Sequence, residues 1–550
     1  MKNHDDLETF DYIVVGAGTA GCVVASRLSE DPNVTVCLIE AGKKDNSVLI
    51  KAPAGCSVTV TTGLMGWSFD TVPQKGLNGR IGYQPRGKVL GGTSSINGMV
   101  YMRGNQWDFD NWAHLGNVGW SYKEILPYFK KSEHHECLND EFHGQGGVLN
   151  VADLRSPSFF NDVFIDACTS QGIPFNPDPN GAQQYGSWRA QVTQKNGERC
   201  SAATAFIRPA MERSNLTILT KAHVAKLLID ETSSPKRITG VSLFVENDRK
   251  KTVNLKANRE VVLSAGAYGS PQIMQLSGVG NENELEALGI DCVHHLPGVG
   301  ENLQDHVTAL SYYKTNSHRG TFGLSLLGGL DIFLSLLKWV GRRTGKITSG
   351  FSESGVFIKT SEEKLLPDIQ IELLVAIVDD HGRKVHTGHG FTTHTTLARP
   401  KSRGSVKLAS KDPFVPPLIN PNYLAEKEDI DTLVVGLQKT LELTSSDPFK
   451  PYIKKMLYPV NNNDRNALEA YIRAHADTEY HPVGTCKMGP DNDPLAVVDE
   501  ELKVKGLQGL RIIDASIMPE IPAANTSAAT IMIGEKGADL LRGVKHAPGI

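Results

Sequence analysis

Apolar and polar positions change rhythm several times along this chain. Tyr12–Val15 is a short unbroken apolar run rich in β-branched residues, which predicts a buried strand. Residues 20–28 carry helical spacing, and residues 34–39 form a second strand-like run that ends at Glu40. The stretch REVVLSAGA, residues 259–267, predicts another strand that enters a glycine turn. Ser270–Pro271 then predicts a helix start, with proline tolerated in the first turn. Residues 403–410 alternate like a half-buried strand, and residues 429–446 space their apolar positions like a helix. Ile512 and Ile513 predict a last short strand, followed by a helix over about residues 528–541.

One apolar stretch breaks the pattern. Residues 320–343 are mostly apolar and end in the basic pair Arg342–Arg343. Gly328–Gly329 and Asp331 interrupt the run, so it predicts a packed helix pair over a cleft and not a spanning helix. A second reading is a membrane-surface patch with its basic end toward headgroups.

The chain has 550 residues, long enough for two or three packed units. Hydrophobic residues make up 40% and charged residues 21%, a globular balance. The net charge of −4 and the lack of a basic stripe argue against a nucleic-acid partner. The eight cysteines are scattered without a CxxC pair, which reads as reduced thiols in a cytoplasmic protein. The polar, acidic N-terminus does not look like a signal peptide. SEHHEC, residues 132–137, resembles a metal cluster only by composition. Neighbouring residues on a helix point apart, so no metal site is expected.

The chemistry starts with the glycines. Gly16, Gly18 and Gly21 form GxGxxG between the first strand and its helix. Gly16 allows the tight turn, Gly18 lets backbone N–H groups approach a pyrophosphate, and Gly21 lets helix and strand pack closely. Glu40 lies roughly 20 residues on, where a carboxylate can hold a ribose hydroxyl. This unit binds a dinucleotide but does not choose between NAD and FAD. GKVLGGTSSINGMVYMRGNQWDFD, residues 87–110, reads as a loop whose backbone lies against a flat ligand, because its glycines and small hydroxyl residues prefer turns and caps. GAYGSPQIMQLSGVG at 266–280 and PGVGENLQDH at 297–306 follow. Asp514–Ala515 and Asn525–Thr526 close the series, the latter at a helix start.

In this order the motifs resemble the glucose–methanol–choline (GMC) flavin oxidoreductases over nearly the whole chain. Within that family the chain is most similar to bacterial dehydrogenases for aliphatic alcohols, choline and sorbose. The resemblance implies an α/β fold, α+β overall, with a Rossmann-like FAD-binding domain gathered from residues 5–105, 210–310 and 490–550. Residues 106–209 and 311–489 would form a substrate domain on an antiparallel sheet. By resemblance the cofactor contacts are Gly16, Gly18, Thr19, Ala20, Glu40 and Ala41 from the first unit. Arg86, Gly91, Gly92, Thr93, Asn97, Gly98, Met99 and Val100 follow from the second motif. Val224, Ala265, Gly266, Asp514, Ala515, Asn525 and Thr526 complete the set. Ile96 stands where covalent members carry a flavin-linking histidine, so FAD is expected without a covalent bond.

The same resemblance makes His481 in EYHPVGTCKMG the catalytic histidine and Asn525 its partner. Alcohol oxidation must remove a proton from oxygen and a hydride from carbon, and histidine suits the proton near neutral pH. Pro482 stiffens the backbone directly after it. The expected reaction is oxidation of a small primary alcohol to an aldehyde, with electrons passed to a quinone or another acceptor. Choline or sorbose dehydrogenase, an alcohol oxidase that makes peroxide, and a hydroxynitrile lyase on the same scaffold are the alternatives. The expected location is the cytoplasm, with the apolar stretch offering a peripheral contact to the inner face of the membrane.

Overall fold

The structure, a computed structural model, describes residues 8–246 and 248–544. Residues 5–7 and 545–550 of the expected cofactor domain, and most of the polar N-terminus, lie outside the described residues.

Two sheets organise the chain. The first has seven strands in the order Leu216–Thr220, Val36–Glu40, Glu8–Val15, Thr252–Leu263, Arg237–Val245, Ala222–Asp230, with Leu510–Ile512 added beside Thr252–Leu263. Five of these strands run parallel, and Arg237–Val245 and Ala222–Asp230 continue the sheet as an antiparallel pair. Val36–Glu40 is buried at every position, as a parallel strand covered on both faces must be. Helix Thr19–Leu28 packs on helix Ser527–Leu541, so segments about 500 residues apart in the chain meet over this sheet. The turn into the first helix passes through Gly16 at φ +97°, where a Cβ would meet Ser264 O at 2.5 Å. The strand ends at Val15, Glu40 and Ile512 thus border one crevice.

The second sheet has eight strands and is antiparallel throughout. Its centre is Val307–Thr315, Gly388–Leu397, Ile369–Leu374 and Ser352–Ile358. Helix Lys427–Thr444 packs against Gly388–Leu397. The short strand Ala476–Thr478 pairs with Val307, Thr308 and Ala309 and delivers the chain to His481.

Four local expectations are corrected. The apolar stretch forms one continuous helix, Leu326–Arg342, and not a broken pair. Ser325 caps it by accepting from Gly328 N at 2.9 Å, and a Cβ at Gly328 would collide with Gly323 O, so that glycine serves close approach. The helix after the glycine turn starts at Gly266 and not at Ser270. Pro271 therefore sits inside it and cannot donate to Ala267 O, which instead accepts the Thr485 hydroxyl at 2.6 Å. The alternating stretch at 403–410 forms a strand only over Ser405–Lys407, because Pro416 and Pro417 precede its partner strand Leu418–Asn420, and Gly404 adds a single bridge to Leu303. Glu133–His135 is a strand and not helix, and His135 Nδ1 accepts from Cys137 N at 3.2 Å and Leu138 N at 3.0 Å.

Candidate active site

A cavity of about 770 Å³ opens between the strand ends of the first sheet and the face of the second. Every cofactor and catalytic residue singled out in the sequence lines it except Gly91. Gly91 lies one layer behind the wall. It turns with φ +90° and donates its N–H to Ala17 O at 2.8 Å. Its neighbour Gly92 faces the cavity, and a Cβ there would meet Gly18 Cα at 2.7 Å. Two glycine segments more than seventy residues apart therefore touch backbone to backbone.

The residues present fit a flavin dinucleotide. Helices Thr19–Leu28 and Ser527–Leu541 both begin at the cavity, and neither has a side-chain cap. Their first-turn N–H groups remain available to an anion such as a pyrophosphate. Glu40 accepts from Ala17 N at 3.1 Å and Gly42 N at 2.8 Å, and burial pushes its carboxyl up to about 7. That places a fixed acceptor at the end of the second strand, as a ribose hydroxyl requires. Asp514 accepts from Gly266 N at 2.8 Å, the Ser270 hydroxyl at 2.6 Å and Ser516 N at 2.8 Å. It ties the start of helix Gly266–Leu276 to the turn after the last strand, and Gly266, Asp514 and Ala515 line the cavity there. Ile96 is buried in the wall and offers no nucleophile.

His481 is held from three directions. Its backbone N–H donates to Asp305 Oδ1 at 2.8 Å. Asp305 Oδ2 accepts the Thr478 hydroxyl at 2.6 Å and the Tyr423 hydroxyl, and burial pushes this carboxyl up to about 6. The preceding residue, Tyr480, sits at φ +69°, a strained value for an aromatic residue. Arg86 Nη2 pins its carbonyl at 2.8 Å. Burial, then the His306 ring and the Arg86 guanidinium, holds the His481 imidazole well below its ordinary value. It is therefore a neutral base at pH 7.

The ring hydrogen bonds fix its tautomer. His306 Nε2 lies 3.1 Å from Ala398 O, which can only accept, so that nitrogen carries the proton. Burial holds His306 down to about 4, so its Nδ1 is bare. His481 Nδ1, 3.0 Å away, must then donate. This leaves the lone pair on His481 Nε2, which lies 3.3 Å from Asn525 Nδ2 and faces the cavity. Asn525 Oδ1 is buried without a partner. A substrate hydroxyl between the two groups can donate to His481 Nε2 and accept from the Asn525 amide.

The sequence reading missed a second polar cluster in the same wall. Glu372 accepts the Ser352 hydroxyl at 2.5 Å and Gln370 Nε2 at 2.7 Å. Burial, then the neighbouring Glu479, pushes it up to about 7. Burial lowers the His394 imidazole, but Glu479 at 2.9 Å outweighs that and raises it overall. His394 Nε2 is buried without a partner. The available signal was a charged residue inside the apolar run IQIELL at 369–374. Asp305 and His306 were also missed, although both end the motif PGVGENLQDH.

Comparison with known proteins agrees with this geometry. Two GMC oxidoreductase family models match, one over residues 10–308 and one over residues 400–534. An alcohol dehydrogenase [acceptor] of Pseudomonas putida is 42% identical over 97% of this chain and 95% of its own length. The mitochondrial choline dehydrogenase of Homo sapiens is 39% identical over 98% of this chain and 91% of its own. The crystal structure of pyridoxine 4-oxidase from Mesorbium loti superposes with a TM-score of 0.85 at 30% identity, covering 96% of this chain and 98% of that one. The chain belongs to the GMC oxidoreductase family, whose cofactor is FAD.

Proposed function

We propose that this protein oxidises a primary alcohol to the aldehyde and passes the electrons to a quinone-type acceptor. The observation that carries the reading is the pairing of His481 Nε2 and Asn525 Nδ2, 3.3 Å apart on one cavity wall. His481 takes the hydroxyl proton, and Asn525 steadies the oxygen as negative charge builds there. FAD, when bound, supplies the hydride acceptor. Asp305, Arg86 and Pro482 keep the base in place, which matters because small displacements weaken proton transfer steeply. The likeness to an alcohol dehydrogenase [acceptor] supports the substrate class. The two sheets support a cofactor unit from residues 5–105, 210–310 and 490–550, and a substrate unit from 106–209 and 311–489.

The test is an anaerobic alcohol screen with purified protein. Primary aliphatic alcohols should bleach the flavin, and an artificial quinone should restore its colour. No bleaching by any alcohol would refute the reading and favour a lyase or a silent flavoprotein. Peroxide formed in air as fast as the quinone is reduced would make the protein an oxidase.

A second reading has its own observation. Glu372 and Glu479 place two buried carboxyl groups in the cavity wall beside the His394 imidazole. A bound cation would favour the ionised form of Glu372, whose carboxyl burial pushes up to about 7, so the cluster suits a cationic alcohol, and choline is the test compound. Turnover of choline in preference to butanol would select it.

A further inference from the structure

The helix Leu326–Arg342 is inside out for a soluble protein. Only Gly328, Ser335 and Trp339 are buried. These three form a narrow seam along one side of the helix, where Trp339 packs with Ala52, Ala54 and Ile347. Nine large apolar side chains on the helix are exposed. Leu326 is 96% exposed, Phe333 56%, Leu337 54% and Val340 63%. The apolar surface wraps three sides of a raised cylinder. Contiguous apolar surface of this extent marks a binding face and not ordinary exposure.

Its charges say what it meets. Asp331 is paired with Lys346, and Arg343 is paired with Glu198 at 2.9 Å while lying over the Trp339 ring. Lys338 and Arg342 are exposed near the C-terminal end of the helix and have no ion-pair partner among the described residues. The face therefore combines bare hydrocarbon with unneutralised positive charge. The cavity opens beside it, since Phe322, Leu324 and Ile332 line both the cavity and this region. Val385, 68% exposed, also lines the cavity, two residues before Thr387, which bridges to Leu324 just ahead of the helix. No helix among the described residues is long and apolar enough to cross a membrane.

We propose that this helix lies in the headgroup and acyl boundary of an anionic lipid bilayer and sets the mouth of the cavity against the membrane. A bilayer can wrap three sides of a cylinder, whereas a second copy of the chain would need a matching groove. Unpaired cations at one end suit anionic headgroups, and the apolar sides suit the acyl region. On the alcohol-to-quinone reading, which this part of the inference rests on, lipophilic reactants would enter from the bilayer without crossing water.

The experiment is vesicle flotation of the full-length holoprotein, with vesicles of phosphatidylcholine alone or mixed with phosphatidylglycerol. The native protein should float with the mixed vesicles. Combined Leu330→Ser, Phe333→Ser and Leu337→Ser should reduce the floated fraction by roughly tenfold, and Lys338→Glu with Arg342→Glu should remove the preference for phosphatidylglycerol. Oxidation of a short, water-soluble alcohol should be unchanged in both variants, because none of these residues lines the cavity. Native protein that stays at the bottom of both gradients overturns the proposal. So does a native dimer in sedimentation equilibrium that the triple variant converts to monomer, since the face would then serve a second copy. Flotation needs no substrate, so it stands or falls apart from the alcohol reading.

Discussion

His306 Nδ1 lies 3.0 Å from His481 Nδ1, and the two rings meet edge to face at 89°. One imidazole thus sets the protonation of the other. Because Ala398 O holds the proton on the far side of His306, the near side can only accept. Removing this acceptor leaves His481 free to place its proton on Nε2, where it blocks the substrate. His306→Ala should slow flavin reduction about tenfold, the cost of about one charge-neutral hydrogen bond at the base. His306→Asn should recover much of the loss, because its amide oxygen can accept. Anaerobic stopped-flow of both variants checks this. Equal rates in all three proteins would remove His306 from the mechanism.

The base itself should be separable from cofactor binding. His481→Ala should retain its flavin spectrum and lose roughly 10²–10⁴-fold in the rate of flavin reduction. Asn525→Ala should lose less, since water can replace one neutral hydrogen bond. Asn525→Asp should be worse than alanine near neutral pH, where a carboxylate opposes the charge forming on oxygen. Burial and the neighbouring His306 and Arg86 hold His481 below 6.5. The base is therefore already deprotonated at neutral pH. Protonation of the base itself should therefore leave the rate unchanged from pH 7 to 8 and lower it only on the acid side of 6.5. A native-rate His481→Ala protein would make the histidine structural.

The cofactor unit was legible because its signal is local. Strand, glycine turn, helix and Glu40 fall within residues 12–40, and each has a backbone reason visible in the sequence. The pairing of His481 with Asn525 was legible only through family resemblance, since nothing local links residues 44 apart. The tautomer was not legible at all. It depends on Ala398, which reaches His306 from 92 residues away. The helix Leu326–Arg342 was misread because Gly328 weakens an isolated helix but is needed for the close approach to Gly323. Glu372 was overlooked because an alternating pattern cannot tell a charged residue facing a cavity from one facing solvent. Likewise, the helix start at Gly266 was hidden because Thr485, far along the chain, compensates for Pro271.

FAD should be bound without a covalent link. Ile96 occupies the expected attachment position and lines the cavity with an inert side chain. Acid precipitation should release yellow flavin to the supernatant, and colour in the pellet would refute the expectation. Gly92→Val should abolish retention of the flavin. A side chain there meets Gly18 Cα within 2.7 Å and must adopt φ +54°. The ratio of flavin to protein absorbance in the purified variant is the measurement. A full complement of flavin would mean that Gly92 does not set the cradle.

Glu372 gives a prediction about stability that needs no substrate. Its carboxyl is pushed from the usual 4.5 up to about 7 by burial and by Glu479. A raised carboxyl binds its proton more tightly in the folded state than in the unfolded state. Its contribution to stability is therefore fully present below pH 4.5 and is lost as the pH rises through 7. Above that, the protein carries a buried charge it would be more stable without. Glu372→Gln keeps the shape and the contact to Ser352 but removes the charge. The difference in stability between variant and native protein should accordingly move in favour of the variant between pH 5 and 8, by about 1–3 kcal/mol. Taking this difference cancels the similar contribution of Glu40, which is present in both proteins. Thermal unfolding at pH 5, 6.5 and 8 measures it. A stability difference that stays constant over this range would mean that Glu372 is ionised throughout, and the cavity would then hold a permanent negative charge.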